Sequence, residues 1–150
     1  MKTTIFLRIA AGLTFVHAVL HTIGGVFGRV APGPAAVAEL AMKTNQFPLM
    51  GHTRSFWHFY RGLGLAVTVS LTAEAIAFWQ LALLARVDAQ RLRPILLTFF
   101  VAYLALAVNS YVYILLPPMI VEILIAACLG LALVSAKTVR TRPRSADLPL

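Results

Sequence analysis

The chain has 150 residues, room for one domain. Hydrophobic residues make up 60% of it and charged residues 12%, half the roughly 25% of a soluble domain, which excludes a fold that must hide its apolar surface from water. The net charge of +8 comes from 13 Lys and Arg gathered in short clusters between long apolar runs. That is the pattern of membrane-flanking anchors and not the basic face of a nucleic-acid-binding domain, so the expected surroundings are a lipid bilayer and no nucleic acid. The single cysteine, Cys128, leaves no partner for an intramolecular disulfide and no cysteine-based metal knuckle.

In chain order, Met1-Lys2-Thr3-Thr4 followed by apolar residues has the look of a secretory signal. It lacks a small-residue cleavage site, and His17 and His21 interrupt its apolar region, so it reads as the first membrane helix, 5–27. The second span, 56–85, is long enough to tilt and carries Arg61 in its first turns and Glu74 further on. The third, 95–116, holds no formal charge, and Pro94 suits its first turn, where a missing N–H costs nothing. The fourth, 119–136, contains Glu122 and follows Pro117-Pro118, which predict a tight break and an antiparallel hairpin with the third. Each run approaches the roughly 20 residues that cross a hydrocarbon core. The predicted fold is therefore all-α, a polytopic membrane protein built as a four-helix bundle. A loop over 28–55 contains a short surface helix over 35–42, and a basic tail over 137–150 is expected to be disordered.

Lys2 and Arg8, then Arg86, Arg91 and Arg93, then Lys137, Arg140, Arg142 and Arg144 fall on one side of four crossings. The positive-inside rule makes that side the cytoplasm, with both termini there and the loop 28–55 outside.

Ionisable groups inside a membrane are costly and mark sites. At ~1.5 Å per residue, His21 lies about 10 Å and His17 about 16 Å below the outer end, and Asn109 about 10 Å, while His58, Arg61 and Glu122 fall in the first turns of their helices. Glu74 lies about 20 Å from Arg61, in the inner half, and is expected to be satisfied by Thr68, Thr72 or water. His17, His21, Gly24 and Gly28 share one stripe, whose small residues predict a close helix approach. Asn109 is expected to face inward with Ala102, Ala105 and Tyr113. Trp57, Tyr60, Tyr111 and Tyr113 are expected to form an interfacial aromatic belt.

The six groups His17, His21, His58, Arg61, Asn109 and Glu122 therefore form the candidate ligand-binding set, with His21 and Glu122 as candidate catalytic groups for proton transfer. Three readings follow. One is a pocket for the polar end of a lipid-like or isoprenoid molecule, with apolar walls from Phe15, Phe59, Phe78, Phe99 and Phe100. Another is an accessory or scaffold subunit, or a homo-oligomer, in which Glu122 merely neutralises Arg61 or a histidine. The third is a metal or haem site with His17 and His21 as ligands, a spacing that any polar helix stripe also produces. No cofactor motif occurs, and no cofactor is expected.

The segments His21-Thr22-Ile23-Gly24-Gly25 and Ser55-Phe56-Trp57-His58-Phe59-Tyr60-Arg61-Gly62-Leu63-Gly64, with Leu116-Pro117-Pro118, resemble an uncharacterised family of small four-helix bacterial membrane proteins. That resemblance implies the architecture and a bacterial inner membrane, and it carries no activity. The layout is also similar to the four-helix sterol-isomerase and sigma-receptor-type group, by size and arrangement alone.

Cys128 should resist a membrane-impermeant thiol reagent, and a cysteine placed at Thr44 should react with it from outside. Labelling at Thr44 only after the membrane is broken would invert the topology.

Overall fold

A computed structural model describes residues 2–136; the expected tail over 137–150 lies outside the described residues. Helix α1 (Lys2–Leu20) continues without interruption into a π-helical segment (His21–Val26). A connection then carries α2 (Pro34–Thr44) and a hairpin of β1 (Gln46–Leu49) and β2 (His52–Ser55). Next come α3 (Phe56–Asp88), a 3₁₀ turn (Gln90–Leu92), α4 (Arg93–Tyr113) and α5 (Leu116–Ser135). The first segment through Val26, α3, α4 with its preceding turn, and α5 are long and apolar enough to cross a membrane. The fold is thus all-α, a multi-pass bundle of four helices, with the small hairpin as its only sheet among the described residues.

Local chemistry sets the boundaries. Gly33, at φ 126°, makes a turn that an L side chain would strain, and Pro34 then opens α2 at a position where its missing N–H is no loss. The hairpin pairs Leu49 with His52, leaving Met50 and Gly51 as a two-residue turn, both at positive φ, as a type I′ turn requires. This hairpin was not expected from the sequence, because 46–55 lacks the alternating apolar pattern of a strand. Buried Ser55 caps α3 with its side chain, and His58 Nδ1 accepts from the Ser55 N–H at 3.0 Å, closing a reciprocal capping box. The α4–α5 break is shifted from the expected place. α4 ends at Tyr113, the non-helical residues are Ile114 and Leu115, and Pro117 and Pro118 lie inside the first turn of α5. Prolines fit there because the first-turn N–H groups have no helical acceptor anyway.

α1 packs against both α3 and α5, and α4 packs against α5. The gap between α3 and α4 is bridged by rings: Phe78 meets Phe99 edge-on at 5.0 Å and Tyr103 at 5.9 Å. Ala10, Ala82, Ala126 and Ala132 are fully buried along the contacts, small enough for helices to approach closely where lipid supplies no hydrophobic driving force. Around this core Ile9, Val16, Leu83, Val101, Val108, Ile123 and Leu131 face outward, an apolar girdle suited to acyl chains. We call the end bearing α2 and the hairpin the hairpin end, and the opposite end, with Arg86, Arg91 and Arg93, the basic end.

The expected close approach through Gly24 and Gly28 does not occur. A Cβ on Gly24 would meet nothing, and one on Gly28 would collide with the Gly24 carbonyl oxygen as the chain turns off the helix. The close glycine contacts are elsewhere, at Gly64 against Val26 and at Gly130 against Phe100.

At Gly130 a Cβ would stand 3.1 Å from the Phe100 ring. Gly130→Leu is therefore expected to overpack the α4–α5 interface and cost about 1–3 kcal/mol, read as reversible unfolding in mixed micelles. Gly12→Ala, where a Cβ meets nothing, should leave stability unchanged or raise it. Equal behaviour of the two variants would contradict this packing.

Candidate functional site

The π-helical turn is the irregular element around which the hairpin end is built. Widening the helix there, with Phe27 N–H donating to the Thr22 carbonyl at 3.0 Å, re-aims the side chains that follow Leu20. His21 Nε2 lies 3.0 Å from the Gly64 carbonyl of α3. A carbonyl only accepts, so Nε2 carries the hydrogen, and a neutral ring keeps its lone pair on Nδ1. Thr22 donates to the Ala18 carbonyl at 2.6 Å and its hydroxyl lies 3.0 Å from that of Thr68. Tyr60 donates to the Gly25 carbonyl at 3.4 Å. Together these contacts fasten the π turn to α3. Gly25 fits closely beside them, since a Cβ there would stand 3.2 Å from the His21 ring.

On the other side of the π turn, towards the α4–α5 connection, lies a cavity of about 380 Å³. Its polar groups are the rings of His17 and His21, its glycine side is Gly24 and Gly25, and its apolar walls include Ile114, Pro117 and Val121. Three of its lining residues, Leu20, Ile114 and Leu115, are 58% exposed or more, so apolar side chains rim the cavity where it meets the α4–α5 connection. His17 is buried, and its Nδ1 has no hydrogen-bond partner among the described residues.

Glu122 is buried on α5, where its Oε1 accepts from Ser110 Oγ at 3.0 Å and its Oε2 has no partner among the described residues. No salt bridge joins it to Arg61. The six groups expected to converge therefore divide. His17 and His21 share the cavity, and Glu122 is paired separately with Ser110. Asn109 faces outward, because the inward face of α4 runs through Tyr103, Ala107 and Ser110, not Ala102, Ala105 and Asn109. His58 is a helix-capping residue. Arg61 lies above the π turn with its guanidinium over the rings of Phe27 and Trp57. The expected aromatic walls do not line the cavity either; Phe78 and Phe99 belong to the core, packed on each other.

A second polar contact, not anticipated from the sequence, lies at mid-bundle. Tyr103, fully buried, donates to Glu74 Oε2 at 2.6 Å, and Thr14 Oγ1 lies 3.4 Å from the same phenol oxygen. Glu74 is thus satisfied by a tyrosine from α4, whereas Thr68 and Thr72 bond to carbonyls one turn back on their own helix. The signal available in the sequence was Tyr103 itself, seven residues before Ser110 on the face that turns inward.

Among the described residues, no three His, Cys, Asp or Glu side chains come together to hold a metal ion. Neither a protein-family model, nor a curated protein, nor a solved structure matches the chain.

Because the Glu74 contact is short and the Thr14 contact long, Tyr103→Phe is expected to cost about 1–2 kcal/mol of bundle stability and Thr14→Val much less. A double-mutant cycle of Tyr103→Phe with Glu74→Gln should show coupling, and its absence would mean that the two side chains do not meet in the membrane.

Proposed function

We propose that the protein binds the polar end of a small lipid-like molecule, an isoprenoid or comparable amphiphile, in the cavity beside the π turn. The observation that carries this reading is the cavity's composition together with its rim. Apolar walls enclose two histidine rings, and exposed apolar side chains rim the cavity. His21 is committed through Nε2 to Gly64 and keeps a lone pair on Nδ1, to which a hydroxyl entering the cavity would donate. A cavity of about 380 Å³ accommodates a head group and the first part of a chain, with the rest left among neighbouring lipids. An apolar rim suits a ligand already dissolved in the membrane.

The reading is one of binding. His21 is committed through Nε2 to Gly64, and Glu122 is bonded to Ser110, so the two groups considered for proton transfer make no hydrogen bond to each other. The resemblance to small four-helix bacterial membrane proteins implies a bacterial inner membrane, and the distribution of cations supports the basic end facing the cytoplasm.

Gly24 offers a clean test, because it lines the cavity and a side chain there meets no neighbour. Gly24→Leu should fill the cavity and leave the bundle intact. In native mass spectrometry the parent is expected to carry a defined adduct that Gly24→Leu lacks and His17→Ala retains less of. A parent free of adduct, with a melting temperature unchanged by sterols, quinones and polyprenyl lipids, would refute the pocket.

A further inference from the structure

A second cavity, independent of the first, lies between α2 and the start of α3. It is the larger, about 620 Å³, and its lining brings Arg29 from the connection, Lys43 from α2 and Arg61 from α3 to one place. Glu39 is the one carboxylate among the lining residues, and it is paired with Lys43 on the next turn of the same helix. Neither Arg29 nor Arg61 has a carboxylate within ion-pair distance among the described residues. Arg61 is held by aromatic faces instead, and Lys43 meets one in addition to its carboxylate. Lys43 Nζ stands 4.4 Å from the centre of the Trp57 ring, and the Arg61 guanidinium stands 4.6 Å from Phe27 and 5.6 Å from Trp57. Such stacking orients an ammonium or guanidinium and leaves its N–H donors unspent at the edges.

We propose that this cavity is a binding site for the phosphate of an anionic lipid head group. Three cations from three separate parts of the chain, facing one carboxylate, make a site of net positive charge. Phosphate oxygens can bridge donors from several directions and take the fork of an arginine two at a time. The surroundings favour a lipid as the source. Val30, Val37 and Leu40 stand exposed around and beside the cavity, and Trp57 and Tyr60 stack at 5.5 Å at the start of the membrane helix, where amphipathic rings settle at head-group depth. α2 would then lie in the head-group layer, with the phosphate beneath it. The histidine cavity plays no part in this site, and either can exist without the other.

The protein has two tryptophans, so a Trp79→Phe variant leaves Trp57, in the cavity wall, as the only one reporting by fluorescence. In nanodiscs of phosphatidylcholine, stepwise addition of phosphatidylglycerol is expected to shift Trp57 emission and to saturate at low mole fraction. Arg61→Gln should weaken this response about tenfold, and Arg29→Gln, on an exposed residue outside the stacked rings, should weaken it without disturbing the fold. Arg54→Gln removes the same charge from the exposed hairpin, away from the cavity, and should change it less than about twofold. Inorganic phosphate added to phosphatidylcholine nanodiscs separates the sources. A response to phosphatidylglycerol alone assigns the site to a lipid head group, and a saturable response to both assigns it to phosphate in general. No response to either, or equal weakening by Arg54→Gln and Arg29→Gln, would overturn the site.

Discussion

Inside hydrocarbon a polar group has no water to turn to, and every donor and acceptor at that depth must find its partner within the bundle. At the centre of this protein the constraint is met by one contact, Tyr103 to Glu74, which joins α4 to α3 where the two backbones stand too far apart to touch broadly. The aromatic rings that fill the gap, Phe78 and Phe99 with Tyr103, are arranged around it. α1 is drawn in by its small residues, and Thr14 faces the same phenol. Replacing such a contact by packing alone would leave Glu74 within the membrane without the one donor that reaches it.

The same rule explains the hairpin end. A π turn leaves the helix's own hydrogen bonding irregular, and α3 compensates with Tyr60 as a donor to the turn and the Gly64 carbonyl as an acceptor for His21. The irregularity is thus accommodated where a membrane protein can accommodate one, against a neighbouring helix and beside a cavity. Among the described residues two buried side-chain atoms nevertheless stay without partners, His17 Nδ1 and Glu122 Oε2. The first belongs to a residue that lines the cavity beside the π turn, although the nitrogen itself is turned away from the accessible space.

The four spans were legible in the sequence because apolar length alone identifies them, and their termini came within a few residues because Ser55, Pro94 and Pro117 act locally. The hairpin was not legible. Its signal is a two-residue turn at Met50-Gly51 between Leu49 and His52, and no apolar alternation announces the strands. Spacing along α1 brought His17 and His21 to one cavity, since rise per residue is nearly constant, but facing elsewhere was misread. A small-residue stripe placed Asn109 inward and Gly24 against a neighbour, whereas the packed face of α4 is set by the large ring of Tyr103, and Gly24 borders open space. Grouping polar residues by depth also merged Arg61 and His58 with the interior cluster, although aromatic stacking holds the first and helix capping the second. Those competing partners are short-range and specific, and hydropathy does not record them.

The central claim is that the cavity beside the π turn holds a particular amphiphile and not whatever lipid surrounds the bundle. It can be tested by placing a photoreactive benzophenone side chain at Leu115, in the cavity wall, and at Val69, 68% exposed on the outer surface of α3, and identifying what each captures in the membrane. The account predicts a single defined adduct mass at Leu115 and the ordinary mixture of bulk phospholipids at Val69. The same mixture at both positions would contradict it.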